Sequence, residues 1–333
     1  MRVVVLGGTR FIGRRIVERL VRRGDSVLVV HRGHSEPAGW VEVEHLHVDR
    51  AELARFGSVV EAFAPDAVVD TYALTAGDVD AVLPVLPEVK TVVLSSQDVY
   101  LAYDGLRHGR RMAATEITER SPLRRQRYPY RDADPDLRDY EKLDVEDRWL
   151  PRGAVVLRLP VVYGPHDERV REDFVLRRVR AGRREIPIGP ADLRWSRMHV
   201  DDAASAVIAA LDCPAARGKA INVAEAATDS VGVWMHRILA AAGSDATLVR
   251  VPDSVLPEDL WWTRRHPQHL CIDPARASAL LGWTPGEPAA RVAESVDWHL
   301  RHPAKDTWTE EAARADDAAL ANARQLAAKP TPA

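Results

Sequence analysis

The first 32 residues constrain the fold more than any other part of this chain. An apolar run, Arg2-Val-Val-Val-Leu6, leads into Gly7-Gly8-Thr9-Arg10-Phe11-Ile12-Gly13, then an amphipathic stretch and a second apolar run that ends in His31-Arg32. Such a segment reads as strand, glycine-bearing turn, helix and strand, the opening half of a dinucleotide-binding unit. Ile12, Ile16, Val17, Leu20 and Val21 recur at helical spacing, with Gly24 at the C-terminal stop. The turn must leave the strand sharply and let backbone N–H groups approach a pyrophosphate, and Gly7 and Gly13 stand where a Cβ is least tolerable. The pattern predicts a nucleotide cofactor; a tight turn without ligand is the alternative.

Further short, β-branched runs at 41–48, 67–70, 91–95, 154–159 and 220–223 alternate with helical patterns. This alternation predicts an α/β fold of Rossmann type, a doubly wound parallel sheet with both faces covered, plus a small C-terminal substrate lobe. With 333 residues, 46% of them hydrophobic, the chain has ample core for a Rossmann domain over 1–165 and a mixed substrate-binding lobe over 166–333 interleaved with late strands. The segment 105–139, charged and broken by Pro122, Pro129 and Pro135, reads as a long functional loop or lid. The tail from 303 reads as one exposed helix followed by a frayed end at 329–333.

Cys213 and Cys271 are far apart in sequence and outside any C-x-x-C arrangement, as expected of reduced thiols in a cytoplasmic protein. No apolar run has membrane-spanning length. The formal net charge of −3 gives no global attraction to nucleic acid, and the arginine clusters at 120–131 and 177–184 read as solvated faces.

Several ordered motifs together resemble the extended short-chain dehydrogenase/reductase superfamily, specifically its NAD(P)-dependent epimerase/dehydratase family. They are Gly7 to Gly13, Leu94-Ser-Ser-Gln-Asp-Val-Tyr100, Lys142 with Glu146, Arg158-Leu-Pro-Val-Val-Tyr-Gly-Pro165, His199-Val-Asp-Asp202, Asn222-Val223 and Leu281-Gly-Trp-Thr-Pro285. The resemblance implies cofactor contacts at Gly7, Thr9, Arg10, Phe11, Ile12, Gly13, Arg32, Asp49 and Lys142. Arg10 stands where the family usually has a third glycine, and His31-Arg32 where many members have a ribose-binding acid. Arg10 and Arg32 could clamp a 2′-phosphate that a carboxylate would repel, which favours NADP(H) over NAD(H); exposed loop arginines are the bland alternative. Asp49 resembles the family's adenine-contacting acid, although an Asp there also suits a turn.

Chemistry in this superfamily resembles a Ser, Tyr, Lys arrangement, and Ser96, Tyr140 and Lys142 are the catalytic candidates. The usual Tyr-x-x-x-Lys is absent: Asp139-Tyr140-Glu141-Lys142 is a Tyr-x-Lys. Two residues apart on a helix means about 200° of rotation, so Tyr140 and Lys142 cannot share a helical face. Three alternatives follow: Tyr140 precedes the helix and swings in, Arg138 replaces it, or the site is degenerate or uses another acid such as Asp98.

In sugar-nucleotide enzymes of the family an arginine usually precedes the His of His199-Val-Asp by four residues; here Trp195 stands there. If 194–199 is extended, Trp195 and Arg197 share a face, and with Trp261 and Trp262 they make a pocket wall suited to an aromatic or monoanionic ligand better than a diphosphate. Packing aromatics with a surface arginine are the alternative. Asp201 or Asp202 is the expected N-cap of the following helix. The pairs His266/His269 and His299/His302 lack supporting ligands, so no metal is expected.

The combined reading is an NADP(H)-dependent oxidoreductase or isomerase, with NAD as the lesser alternative, acting on a polar sugar-like or natural-product carbonyl/alcohol pair. Its partner would be a small-molecule substrate, with no membrane, nucleic acid disfavoured and a homodimer left open. The rival is a catalytically degenerate cofactor-binding sensor or an RNA-associated protein, since the Gly7 to Gly13 string also resembles that of chloroplast stem-loop RNA-binding members.

Overall fold

A computed structural model describes residues 1–305 and 308–328. Seven strands form the main sheet: β1 (Arg2–Leu6), β2 (Ser26–His31), β3 (Glu44–His47), β4 (Ala67–Asp70), β5 (Lys90–Ser96), β6 (Val155–Leu159) and β7 (Ala220–Asn222). Every pairing is parallel, in the order β7-β6-β5-β4-β1-β2-β3. The order reverses beside β1, and a doubly wound sheet places its ligand at such a switch, outside the carboxyl ends of the strands.

The central strands are buried on both faces, so they read as continuous apolar runs rather than alternations. Val3, Val5, Val29 and Val69 pack against Ile16, Val17 and Leu20 of the helix Phe11–Arg23 and against Ala203, Val207 and Ala210 of Val200–Leu211. Their neighbours Val4, Leu6, Val30 and Val68 face the other way, onto Val60, Val79 and Val145. β3 is shorter than the run at 41–48 suggested: only Glu44–His47 pairs, because this is the edge strand and three of its four side chains face solvent.

A third core, built from Tyr100, Tyr163, Leu176, Trp195, Trp234 and Ile238, holds the C-terminal lobe. Two expectations about arginine and the tail need correction here. Arg178 is fully buried, bidentate to Asp316 at 2.8 and 2.7 Å and bonded to Asp259 at 2.6 Å. The tail helix Glu310–Ala327 is therefore not merely exposed: Asp316, Ala319 and Leu320 are its buried face. Pairing with two carboxylates offsets the desolvation penalty that keeps a lone arginine on the surface. The end at 329–333 lies outside the described residues.

The segment 105–139 is largely irregular, as its prolines and charges require, yet it is pinned midway along its path. Glu116–Ile117 pairs with Cys271–Ile272, and Arg124 is buried. It is a strap rather than a free lid.

The glycine turn is set by backbone contact. A Cβ on Gly13 would stand 2.2 Å from the Gly7 carbonyl oxygen, and Gly7 itself has φ +84°. Gly13→Ala is expected to lower stability by about 2 kcal/mol, the range of core overpacking. Denaturant midpoints measured at unchanged m-value check it; a stability equal to wild type would show that the turn relaxes freely.

Candidate active site

Glu141 is the N-cap of the helix Lys142–Trp149, with an extended backbone at φ −156°, ψ 96°. Tyr140 thus precedes the helix, and in an extended segment residues two apart point the same way. This is how a Tyr-x-Lys brings both side chains to one site. Arg138, the alternative occupant, is exposed.

The N-cap is clamped. Arg124 and Glu141, both side chains fully buried, form a bidentate pair at 2.5 and 2.9 Å. Arg124 Nε also donates to the Asp98 carbonyl at 2.7 Å, and the Glu141 carboxylate accepts from the N–H groups of Tyr128 and Leu143. Burial alone would raise the Glu141 carboxyl, but Arg124 and these N–H groups outweigh it and hold it below its ordinary value.

Tyr140 Oη donates to Asp98 Oδ2 at 2.7 Å, and Tyr130 Oη reaches the same oxygen at 3.3 Å while donating to Tyr103 Oη at 2.9 Å. Burial, followed by the Asp98 charge and hydrogen bond, pushes Tyr140 well above the ordinary phenol value; Ser96 pulls the other way by hydrogen bonding. Asp98 is raised too, chiefly by burial, against the pull of Tyr140, Arg124 and Lys142. Among the described residues, Asp98 Oδ1 is buried without a hydrogen-bond partner. Tyr140 is therefore a neutral donor poised on a buried carboxylate, the reverse of a free tyrosinate.

Lys142 Nζ donates to the carbonyls of Ala73 at 2.6 Å and Leu94 at 3.0 Å, and burial lowers its pKa despite Asp70 and Asp98. Beneath it, the Glu146 carboxylate takes Ser95 Oγ at 2.6 Å and Arg158 at 3.0 and 2.6 Å, while Arg158 also donates to Tyr100 Oη and Tyr100 to Asn222 Oδ1. These motif residues support the strand ends rather than facing a reactant.

The cofactor candidates surround the end of β1. Gly13 meets Gly7 there, and the helix Phe11–Arg23 starts at Arg10 with no side-chain cap and no acid in its first turn. Such a cradle fits a dinucleotide pyrophosphate, with Ile12 and Phe11 in the opening turn. Thr9 Oγ1 lies 2.7 Å from Ser35 Oγ, tying the turn to the loop after β2. Arg10 reaches Glu168 at 3.1 Å on the surface and Arg32 is exposed. Asp49 caps the short helix Arg50–Phe56 by accepting from Ala51 N, which is its turn-forming role.

Trp195, Trp261 and Trp262 come together: Trp195 lies 4.6 Å from Trp262 and 6.3 Å from Trp261, which stacks on Trp262 at 4.7 Å. Tyr103 stands 6.5 Å from Trp195. Arg197 instead lies over Trp234 at 4.3 Å, and burial lowers its pKa to about 10 although Glu225 opposes the shift. Tyr163 Oη donates to Glu225 at 2.7 Å beside it.

The N-cap of Val200–Leu211 is His199, which accepts from Asp201 N; Asp201 and Asp202 occupy the first turn, held by Arg19 and Arg291. The expected Asp cap is thus displaced by the imidazole, whose pKa burial lowers to about 3. Sequence reasoning missed Arg124, Glu141, Tyr103 and Tyr130, whose contacts span long separations. Of the His pairs at metal-like spacing, His266 and His299 donate to the Trp261 and Gly164 carbonyls.

Residues 3–85 and 146–224 match the NAD dependent epimerase/dehydratase family. The chain is 28% identical over 239 residues to the chloroplast stem-loop binding protein of 41 kDa b of Arabidopsis thaliana, covering 67% of this chain and 58% of that one. It is 28% identical over 307 residues to a 3-diazoavenalumate denitrifying reductase of a Streptomyces species, covering 87% and 98%. The fold is that of the UDP-glucose 4-epimerase of Thermotoga maritima, solved with UDP-glucose, at TM-score 0.68, 17% identity and coverage of 91% and 99%. No helix among the described residues is long and apolar enough to cross a membrane.

Breaking one partner of the buried Arg124–Glu141 pair leaves an uncompensated charge, so Arg124→Met is expected to cost about 3–5 kcal/mol. Chemical unfolding of the variant checks it, and a cost below about 1 kcal/mol, typical of surface pairs, would contradict the clamp.

Proposed function

We propose that this chain, whose residues 3–85 and 146–224 match the NAD dependent epimerase/dehydratase family, is an NADP(H)-dependent oxidoreductase acting on the carbonyl/alcohol pair of a small aromatic or monoanionic molecule. The observation that carries the proposal is the Tyr140 hydroxyl on Asp98, next to Ser96 and above the strand ends that hold Lys142. When bound, the cofactor supplies or accepts the hydride. Gly7, Gly13 and the opening turn Arg10 to Ile12 would hold its pyrophosphate, Thr9 would approach it, Lys142 would take its ribose, and Arg10 and Arg32 a 2′-phosphate. Asp49, already a cap, would touch the adenine only from its free oxygen.

In the oxidising direction the substrate hydroxyl gives its proton to Tyr140 Oη as Tyr140 passes its own to Asp98. Ser96 holds the substrate oxygen. In reduction the same protons run back to the carbonyl oxygen. This relay needs no standing tyrosinate, which suits a phenol that burial and Asp98 keep protonated. The aromatic line from Tyr140 through Tyr130 and Tyr103 to Trp195, Trp262 and Trp261 offers stacking surface to a ring. Arg197, buried over the Trp234 ring, would supply the cation for a monoanion. The 28%-identical Streptomyces relative is a reductase by name, which supports net redox over epimerisation.

Wild type is expected to bind NADPH at least about tenfold tighter than NADH, with the Arg10→Ala/Arg32→Ala pair losing the preference; equal affinities in wild type would remove the 2′-phosphate assignment. Tyr140→Phe should lower turnover by about 10²–10⁴ while NADPH binding holds. Asp98 must be ionised to accept the proton, so the oxidation rate falls as pH drops through a pKa above the ordinary carboxylate value of about 4. Asp98→Asn should abolish that acid limb together with most of the rate. An active Tyr140→Phe would sink the relay, and cofactor binding without turnover on any carbonyl panel would favour the sensor.

A further inference from the structure

Three imidazoles and a carboxylate converge at the free edge of the sheet. His45 and His47 lie on β3, His31 ends β2 and Glu36 belongs to the loop between them. Val29 pairs with His45 and His31 with His47 in parallel register. Side chains alternate along a strand and paired residues share a face, so the three rings meet on one side. One nitrogen or oxygen from each of the four side chains lies within 4.8 Å of all the others.

The hydrogen bonds decide which lone pairs are available. Gly33 N donates to His31 Nδ1 at 3.1 Å, so the His31 proton sits on Nε2, 2.8 Å from His45 Nδ1. His45 Nδ1 accepts that proton, and its lone pair is freed for an ion when His31 Nε2–H turns to Glu36 Oε1, 3.5 Å away. His47 Nε2 hydrogen-bonds to Glu36 Oε1. We propose that Glu36 Oε1, His45 Nδ1 and His47 Nε2 form a binding site for a divalent metal of the zinc class, with water in the fourth position and His31 Nε2–H, 3.5 Å from Glu36 Oε1, orienting the carboxylate.

Two imidazoles and one carboxylate are borderline ligands that suit Zn²⁺ or Co²⁺ and not the all-oxygen shells of Mg²⁺ or Ca²⁺. A tetrahedral zinc needs ligand atoms about 3.4 Å apart, inside the span these atoms already occupy. His47 is a half-exposed ring, so an ion can reach it from solvent. His31 is the buried member, and burial with the two neighbouring imidazoles keeps it below its ordinary pKa and neutral. A bound ion would tie the loop carrying Arg32 and Ser35 to the sheet edge, where Ser35 already meets Thr9. The site stands independently of the catalytic reading.

The test is titration of the chelator-stripped full chain with Zn²⁺ by calorimetry and with Co²⁺ by visible absorption near neutral pH. Binding of about one equivalent is expected, with tetrahedral Co²⁺ bands and a raised melting temperature. His45→Ala/His47→Ala should abolish it, and Glu36→Gln and His31→Gln should weaken it by about 10–100-fold. His45, His47 and Glu36 are at the surface, so metal-free melting of the Glu36→Gln protein should match wild type. His266→Ala should bind as wild type does. Failure of the wild type to take up an equivalent of Zn²⁺, or uptake that survives His45→Ala/His47→Ala, would overturn the proposal.

Discussion

The buried ion pair between Arg124 and Glu141 is the interaction on which the site depends. It joins the strap 105–139 to the first residue before the helix Lys142–Trp149, and Arg124 reaches on to the carbonyl of Asp98. Three functional groups are thereby set from one clamp: Asp98 through its own backbone, Tyr140 because the chain must stay extended through Glu141, and Lys142 because Glu141 starts its helix. A buried pair of this kind adds little net stability against an apolar substitute, and its value lies in fixing one arrangement. Here the arrangement is a tyrosine and a lysine two residues apart that face the same side.

Burial then dictates the chemistry. A phenol in water is a poor base, and most solutions lower its pKa with nearby positive charge. In this chain the nearest charge to Tyr140 is the Asp98 carboxylate, while Lys142 gives two of its three ammonium donors to backbone carbonyls. The environment keeps the phenol protonated and lifts the carboxyl toward a range where it can take a proton. The aromatic line that continues from Tyr130 to the Trp261–Trp262 stack borders the same region.

The sheet was legible because its determinants are local. β-branched runs, the turn glycines and the periodicity of Ile16, Val17 and Leu20 each act within a few residues, and the structure places Ala67–Asp70 and Phe11–Arg23 where these signals do. The site was legible only in part, since its decisive contacts join residues far apart. Nothing in the sequence around Arg124 distinguishes it from its solvated neighbours; its role needs Glu141, and likewise Arg178 needs Asp316. The Tyr-x-Lys spacing left three routes open, and the extended backbone at Glu141, which lets Tyr140 enter from before the helix, has no signal in the spacing itself. A signal that could have been used was His45-Leu46-His47, where period-two spacing on a strand puts two imidazoles on one face, opposite the His31 that ends the neighbouring strand.

The central claim is that Tyr140 is held protonated by Asp98 and works through it. Ring-labelled tyrosine NMR, with the Tyr140 resonance assigned by its loss in Tyr140→Phe, reads that protonation directly across a pH titration. The account predicts a phenol that stays neutral to beyond the ordinary value of about 10 in wild type and ionises at lower pH in Asp98→Asn. A Tyr140 phenol that ionises below about pH 9 in wild type, or one whose titration is unmoved by Asp98→Asn, would contradict it.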